Sequence, residues 1–307
     1  MEKVNFLIIL QMKIIDCTTY YSEDLMLDVR LNVLNEYVDK FIIVESKFSH
    51  SGKPKPLNFN INNFQKFKDK IKYLIIETEP EGINQNLQNS SAIKRTNSLL
   101  RIEQSYNYMI NALNDVHEND LICLSDNDEI PNFEANDFKN SKNDIFIFKQ
   151  LFFYYKFNLF YDLMPWYGTK ACKKKNLISL SWLRNLKNKK YPFWRIDTYF
   201  SKLKQTNIQI VENGGWHFTN LMKAEDIYTK LSNFGHHNEF DDSGITVQDI
   251  QECIDKRIVN YDHQADKNKS KKYGANYNLK IVNDNFLPKF LITNREKYKD
   301  WFDNLDD

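Results

Sequence analysis

Asp126 and Asp128 have the clearest chemical potential of any side chains in this sequence, since a single residue separates them. Carboxylates at this spacing can share one divalent cation, because Mg²⁺ and Mn²⁺ are hard ions that prefer oxygen ligands. A cation held in this way can bind a nucleotide diphosphate and neutralise it as a leaving group. The same pattern also occurs by chance in solvated turns, so its surroundings must decide between the two interpretations.

The residues around the pair favour the chemical interpretation. Leu121 to Leu124 form an apolar run that predicts a buried parallel strand, and Pro131 prevents a regular continuation. Open α/β sheets bind ligands at the carboxyl ends of their strands. Asp126 and Asp128 therefore lie at the sheet edge where a ligand is expected to bind. Glu129 is expected to have a structural role, as a cap for the following turn.

Three further apolar runs and two helical patterns accompany this strand. Strands are predicted at residues 13–17, 41–44 and 73–76. Residues 22–34 carry leucines at helical spacing, and residues 93–113 predict a long second helix. The order strand, helix, strand, strand, helix, strand predicts an α/β nucleotide-binding half over residues 12–131, with a mainly parallel sheet flanked by helices.

The chain after Pro131 has a different pattern of apolar and aromatic residues, which predicts a more irregular, β-rich half over residues 132–307. Its patterns are an aromatic and aliphatic run at 145–161, amphipathic helices at 223–233 and 246–260, an exposed loop at 261–278, and a short helix ending at Phe302. Because no linker separates the halves, we predict a single domain over residues 12–307, preceded by an N-terminal extension at residues 1–11.

Composition excludes several classes of function. The formal net charge is only +1, so the net charge gives no indication of nucleic-acid or membrane binding. We therefore predict no nucleic-acid partner. No apolar run reaches the roughly 18 residues that a transmembrane segment needs, and no signal peptide is evident. These features predict a soluble or cytoplasmic protein. The four cysteines form no C-x-x-C pair, which argues against zinc.

Seven blocks between residues 13 and 300 carry a resemblance to a known family. They are Asp16-Cys17 with Val29-Arg30-Leu31, Val38 to Ser46, Gly52 to Leu57, Arg101, Ser125 to Pro131, Gly215 to Phe218 with Lys230, and Leu287 to Leu291. In content and in order they resemble glycosyltransferase family 17. The sequence departs from the family at Asn127, where a small or aliphatic residue is common, and the identity of the acceptor is not carried over.

The resemblance implies a GT-A-like fold and a metal-dependent, inverting glycosyltransferase. The expected reaction moves a sugar, N-acetylglucosamine from UDP-GlcNAc, to a glycan hydroxyl with Mn²⁺ or Mg²⁺ as cofactor. Residues 12–131 would then bind the UDP-sugar donor, and residues 132–307 the glycan or glycoconjugate acceptor. Two alternatives remain: a non-catalytic glycan-binding protein of the same fold, and a metal-dependent phosphohydrolase that uses Asp126 and Asp128.

The resemblance also suggests roles for residues at the donor. Asp126 and Asp128 are the expected metal ligands, with Asp126 also near the ribose, and His217 is a further candidate because neutral imidazole suits Mn²⁺. Arg101 is expected to clamp the diphosphate through two hydrogen bonds, and Arg95 has a weaker claim. Asp16 and Glu45 end predicted strands, where they can accept hydrogen bonds from uracil or ribose, or else cap loops.

Inverting transfer also needs a base that removes a proton from the acceptor hydroxyl. Glu239 lies in a His-and-Glu block that resembles one in the family, and Asp197 is the alternative base. Trp166 and Tyr167 are the expected acceptor-binding aromatics, because Pro165 and Gly168 place them in a predicted loop. The other aromatics of the second half are expected to divide between the core and the acceptor groove.

Overall fold

The computed structural model describes residues 11–84, 91–234, 237–263 and 272–304. In this part of the chain the strands form two large β-sheets and a two-stranded sheet, accompanied by helices. The strands are β1 (Ile14–Thr19), β2 (Lys40–Ser46), β3 (Ile71–Ile76), β4 (Leu121–Ser125), β5 (Glu129–Pro131), β6 (Ile145–Phe148), β7 (Leu151–Tyr154), β8 (Leu159–Phe160), β9 (Lys170–Lys173), β10 (Ile208–Val211), β11 (Gly215–Thr219), β12 (Ile258–Tyr261), β13 (Tyr273–Asn278) and β14 (Lys280–Ile281). The α-helices in this part are α1 (Asp24–Leu34), α2 (Ser91–Tyr108), α3 (Leu180–Asn185), α4 (Ala224–Asn233), α5 (His237–Asp241), α6 (Val247–Asp255) and α7 (Lys289–Thr293).

The main sheet has the strand order β10-β6-β9-β4-β1-β2-β3. Strand β1 pairs in parallel with both β2 and β4, and only β9 runs antiparallel to its two neighbours. The prediction of a mixed α/β fold with a mainly parallel sheet is therefore confirmed, and each of the four predicted strands is present. The predicted N-terminal extension lies outside the described residues, apart from its last residue, Gln11.

Both faces of the main sheet are covered, which is why its central strands carry apolar runs that are buried on both faces. Successive residues of a strand point to opposite faces. Phe41 and Ile43 accordingly pack in one core with α1, whereas Ile42 and Val44 pack in the other core with α2 and α3. In the described part of the chain, no helix has the length and apolar character to cross a membrane.

The second sheet has the strand order β14-β8-β7-β11-β5, and its edge strand β5 follows β4 of the main sheet in the chain. Strand β4 belongs to the main sheet and β5 to the second, so the turn at residues 126–128 joins the two. Strand β11 pairs with β5 and places His217 opposite Glu129. This close pairing requires Gly215, which has a φ of +118° and whose Cβ would lie 2.1 Å from the carbonyl oxygen of Ile130.

The structure corrects two predictions in the second half. The helix predicted at 246–260 ends at Asp255 as α6, because Arg257 adopts a left-handed φ of 57° and the chain then forms β12. The segment predicted as a loop at 261–278 contains β13, which pairs antiparallel with β12. Residues 264–271 of that segment lie outside the described residues. Alternating burial along β13 is typical of a half-exposed strand, which its polar composition concealed.

A fully buried side chain, Arg30 of α1, ties these elements together. It donates from Nε and Nη2 to the two carboxylate oxygens of Asp16 at 2.8 and 2.6 Å. It also donates from Nη1 to the carbonyl oxygens of Asp126 and Glu129, at 3.1 and 2.6 Å, and from Nη2 to the hydroxyl of Ser125. One guanidinium thus fixes both ends of the turn against β1.

We predict that Arg30→Met lowers the free energy of unfolding by about 3–5 kcal/mol, because it leaves the buried charge of Asp16 unpaired. The double variant Asp16→Leu/Arg30→Met removes that charge, but the carbonyl groups of Asp126 and Glu129 still lose their donor. It should therefore recover only part of the loss in urea unfolding. A single variant as stable as the parent would contradict this account.

Candidate functional site

A cavity of about 480 Å³ lies at the carboxyl ends of the main-sheet strands. Thr19 at the end of β1, Ser46 at the end of β2 and the turn after β4 all border it. Further parts of its wall come from α2, β7, β11, α4, α5, α6, β12 and β13. The strand ends thus face a cavity, which has the size of pockets that enclose small ligands.

Asp126 is held in one orientation from both sides. Its Oδ1 accepts from the hydroxyl of Tyr106 at 2.9 Å, and its Oδ2 accepts from Nη2 of Arg184 at 2.7 Å. Its backbone N–H donates to Oε2 of Glu129 at 3.0 Å. Burial and the charge of Glu129 raise the pKa of Asp126, against the lowering effect of Arg184.

Asp128 is the more strongly ionised carboxylate of the pair. Its Oδ2 lies 3.3 Å from Nζ of Lys230, and its Oδ1 lies 3.6 Å from Nε2 of His217. Burial opposes ionisation, but Lys230 and His217 outweigh it and hold the pKa of Asp128 well below its usual value. The carboxylate of Asp128 therefore faces the cavity beside a lysine that favours its ionised form.

His217 is held as a flat, buried ring between two aromatic side chains. Its ring centroid lies 4.7 Å from that of Phe152 and 4.3 Å from that of Trp166, both in stacked geometry. Nε2 points to Asp128, whereas Nδ1 has no hydrogen-bond partner among the described residues. The structure thus brings His217 together with Asp128, as the sequence predicted for a shared site.

Glu129 and Arg184 form a buried support beneath the turn. The carboxylate of Glu129 accepts from Nη1 and Nη2 of Arg184 at 2.7 and 2.9 Å, and from Nε1 of Trp166 at 2.7 Å. Arg184 also donates to the carbonyl oxygen of Gly168 at 2.6 Å. Glu129 therefore has a structural role, as expected, while Arg184 positions Asp126 from a helix of the other half.

Sequence reasoning missed Arg184, because nothing local distinguishes it from a solvated helix arginine. Its helix α3 begins at the N-cap Ser179, and the amine of Lys170 donates to the carbonyl oxygens of Arg184 and Leu186 at its end. Burial lowers the pKa of Lys170 to about 7. Only the packing of α3 against β4 and β9 brings Arg184 to the turn.

Asp16 and Glu45 are not on the cavity wall, contrary to the expectation that they contact a nucleotide. The carboxylate of Asp16 is completely buried and engaged by Arg30. Glu45 is equally buried and accepts from Lys55, from the hydroxyl of Tyr73 and from two backbone N–H groups of the following loop. Asp16 lies inside β1 rather than at its end, where Arg30 is its donor, whereas Glu45 fits the alternative prediction, because it caps the loop after β2.

Arg101 is also not on the cavity wall, although a role at the diphosphate was predicted for it. Its guanidinium pairs with the carboxylate of Glu79 at 2.7 and 2.9 Å and donates to the carbonyl oxygen of His50 at 3.2 Å. Gly52 packs on it so closely that an added Cβ would lie 2.5 Å from Nη2. On the same helix, Arg95 borders the cavity, so the residue with the weaker predicted claim has the better position.

The two candidates for the base lie in different surroundings. Asp197 is on an exposed segment, where it pairs with Arg195 at 2.7 Å and with Lys204 at 2.6 Å, and it does not border the cavity. Glu239 is on α5, 3.4 Å from Nζ of Lys272. After burial, the charge of Glu239 is the next cause that raises the pKa of Tyr261, a residue of the cavity wall. Neither carboxylate is on the cavity wall, but Phe240, which follows Glu239 on α5, is part of it, whereas no residue of the segment around Asp197 is.

Aromatic side chains form a further part of the cavity wall. Trp166 borders the cavity as predicted, whereas Tyr167 is not on its wall and packs against the core that contains α2 and α3. The structure adds Tyr154, Tyr155, Tyr261, His263 and Tyr273 to this wall. Tyr154 and Tyr155 both reach it because Tyr155 adopts a left-handed φ of 63°, which breaks the alternation of the strand.

Comparison with known proteins identifies the family of the chain. The model that describes glycosyltransferase family 17 matches residues 8–302. Beta-1,4-mannosyl-glycoprotein 4-beta-N-acetylglucosaminyltransferases from Homo sapiens and Rattus norvegicus are each 28% identical over 123 residues, which cover 39% of this chain. The matched region spans only 22% of the length of each of these relatives.

Solved structures resemble the chain only loosely. A putative glucose-1-phosphate thymidylyltransferase from Bacillus anthracis has 12% identity and a TM-score of 0.32, covering 65% of this chain and 86% of the other. HddC from Yersinia pseudotuberculosis has 10% identity and a TM-score of 0.31, covering 65% and 90%.

We predict that Gly168→Ala disrupts the support beneath the turn, because its Cβ would lie 1.8 Å from Oε1 of Glu129. Overpacking of this kind lowers the free energy of unfolding by about 1–3 kcal/mol, and the displaced carboxylate should change the fluorescence of Trp166. Gly244→Ala is the control, since its Cβ meets no atom within 4 Å and only its left-handed φ is strained. An unchanged Trp166 signal in Gly168→Ala would contradict the prediction.

Proposed function

Because the chain belongs to glycosyltransferase family 17, we propose that it transfers a sugar from a UDP-linked donor to a glycan hydroxyl, with N-acetylglucosamine as the sugar. The observation that carries the proposal is the turn at residues 126–128, which presents two carboxylates to a cavity at the sheet edge. The aromatic side chains of the same cavity offer flat apolar surfaces against which sugar rings can stack. Donor and acceptor would thus meet in one cavity.

The architecture supports a two-lobed, GT-A-like arrangement for this reaction. In this proposal the parallel strands β1, β2 and β4 form the donor lobe, and the second sheet with α4 to α6 forms the acceptor lobe. The carboxylates lie at the junction of the two sheets, where β4 passes into β5. A group transferred between the two substrates would cross this junction.

The donor atoms of the turn suit a hard divalent cation. Asp126 and Asp128 supply carboxylate oxygens, and Nε2 of His217 lies beside Asp128. Within the described residues no three His, Cys, Asp or Glu side chains form a complete metal cage. Mg²⁺ commonly uses one or two carboxylates together with substrate phosphates, so such a cage is not required. When bound, Mn²⁺ or Mg²⁺ would neutralise the charge of the diphosphate leaving group.

Lys230 adds a second positive charge at the same place. Its ammonium group lies 3.3 Å from Asp128 and borders the cavity, so it can bind a diphosphate oxygen as a point charge. The side chain of Arg184, which is engaged with Asp126 and Glu129, keeps the turn in shape while the ligand binds. In the proposed inverting reaction, Glu239 is the first candidate to accept the proton of the acceptor hydroxyl.

We predict that Asp128→Asn abolishes the Mn²⁺-dependent rise in melting temperature caused by UDP and lowers transfer at least 100-fold, about the share of one electrostatic contact. The matched control is Asp162→Asn, since Asp162 pairs with Lys280 and does not border the cavity. Thermal shift and hydrolysis of UDP-sugars measure the two effects. Full activity in Asp128→Asn would contradict the metal assignment.

The same assays separate the two alternative functions. A glycan-binding protein of this fold would bind oligosaccharides but hydrolyse no UDP-sugar, with or without Mn²⁺. A phosphohydrolase would release phosphate from simple phosphate esters rather than UDP from a sugar nucleotide. Slow release of UDP from one donor, accelerated by Mn²⁺, is the result that our proposal expects.

We predict that Glu239→Gln lowers transfer by about 100-fold, a typical contribution of a general base, and leaves UDP binding unchanged. Asp197→Asn should leave transfer unchanged, because its carboxylate is engaged by Arg195 and Lys204 away from the cavity. Turnover and calorimetric binding of UDP distinguish the outcomes. Loss of transfer in Asp197→Asn, with Glu239→Gln unaffected, would show that the base is the other carboxylate.

A further inference from the structure

Residues 187–204, which we call the basic aromatic loop, have an unusually exposed apolar surface. Five large side chains point outwards there: Phe193 (72% exposed), Trp194 (69%), Ile196 (73%), Tyr199 (76%) and Phe200 (87%). Across the rest of the described chain, no exposed large apolar side chain exceeds the 57% of Ile178. Such a cluster is more than the scattered exposed hydrophobics of an ordinary surface.

The same loop concentrates positive charge. Its basic residues are Lys187, Lys189, Lys190, Arg195, Lys202 and Lys204, and its single acid is Asp197. The loop therefore carries a formal charge of +5, although the whole chain carries only +1. Because Arg195 and Lys204 both pair with Asp197, the one acid is neutralised within the loop. The balanced net charge of the chain conceals this local excess.

The loop is anchored at its base rather than free along its length. The backbone N–H of Lys187 donates to the carbonyl oxygen of Leu203 at 3.1 Å, and Nε1 of Trp182 donates to the carbonyl oxygen of Lys202 at 2.7 Å. Leu186 is buried in the core beneath it. The exposed aromatic side chains therefore project from a closed base.

We propose that the basic aromatic loop docks the protein peripherally on a membrane surface that contains anionic lipids. Aromatic side chains such as Trp194 and Tyr199 favour the boundary between headgroups and acyl chains. Clustered lysines and arginines are attracted to anionic headgroups. The loop combines both features at one exposed site, which is the pattern of interfacial anchors, and this docking needs no spanning helix.

The charge and side-chain types of the loop favour an anionic membrane surface over three other binding partners. A second copy of the chain would bring the same +5 loop and repel the first. A neutral glycan would use the aromatic rings but not the six basic residues. Single-stranded nucleic acid would use charges and rings, yet the aliphatic Ile196 at the exposed tip offers it no stacking surface. The inference is independent of the proposed transferase reaction.

Vesicle sedimentation tests the proposal directly. The full chain should sediment with vesicles of mixed phosphatidylcholine and phosphatidylglycerol, and not with phosphatidylcholine alone. Added salt should weaken this binding, because it screens the attraction between exposed charges and headgroups. Lys189→Ala/Lys190→Ala should weaken binding about 30-fold, in line with the usual contribution of two basic residues at such a surface. The control Lys68→Ala/Lys72→Ala removes two exposed lysines outside the loop and should bind normally.

Apolar variants test whether the rings insert. Trp194→Ser/Phe200→Ser should lose binding, whereas Leu163→Ser, at an exposed leucine outside the loop, should retain it. Lipids with brominated chains should quench the fluorescence of the parent. Trp194→Phe should still sediment but lose most of that quenching, since the other four tryptophans are elsewhere in the chain.

Several outcomes would overturn the proposal. These are no sedimentation with anionic vesicles, binding unaffected by the loop variants, and quenching unchanged in Trp194→Phe. Self-association through the loop, or binding of single-stranded DNA without vesicle binding, would assign the loop to a different partner. Melting curves of every variant, followed by circular dichroism, show whether a loss of binding reflects a loss of fold.

Discussion

The buried ion pair between Arg30 and Asp16 is the interaction on which the rest of the structure depends. A guanidinium in the interior is stable only when its donors are satisfied, and here a carboxylate, a hydroxyl and two backbone carbonyls satisfy them. The carbonyls belong to Asp126 and Glu129, on either side of the turn. The position of α1 over β1 therefore determines the path of the chain where it leaves the main sheet.

A second guanidinium stabilises the same turn from the other side. Arg184 of α3 engages the carboxylates of Asp126 and Glu129, while Glu129 also accepts from Trp166 on the aromatic wall. The turn thus lies between two arginines from different halves of the chain. This arrangement explains how two acidic residues can remain close together in a largely buried site without mutual repulsion dominating.

The electrostatics of the cavity follow from these contacts. Asp126 is balanced by Arg184, and Asp128 by Lys230, so each carboxylate already has a cationic partner. In the proposed reaction, a divalent cation and a diphosphate would enter together, and Lys230 could then exchange Asp128 for a phosphate oxygen. Because the charge of the cation would offset that of the diphosphate, their joint entry would leave the net charge of the site nearly unchanged.

The sequence by itself determined the strands of the first half and the position of the carboxylate pair, because both depend on neighbouring residues. Apolar runs predict β1 to β4, and the pair follows β4 directly. Tertiary structure decided what each polar group contacts. Both Asp16 and Asp126 are predicted at the ends of buried strands, yet Asp16 lies inside β1 and pairs with Arg30, whereas Asp126 follows β4 and borders the cavity. Arg184 reaches the turn from 58 residues away, a contact that only packing creates. Local patterns report burial and direction, but hydrogen-bond partners depend on which distant elements pack together.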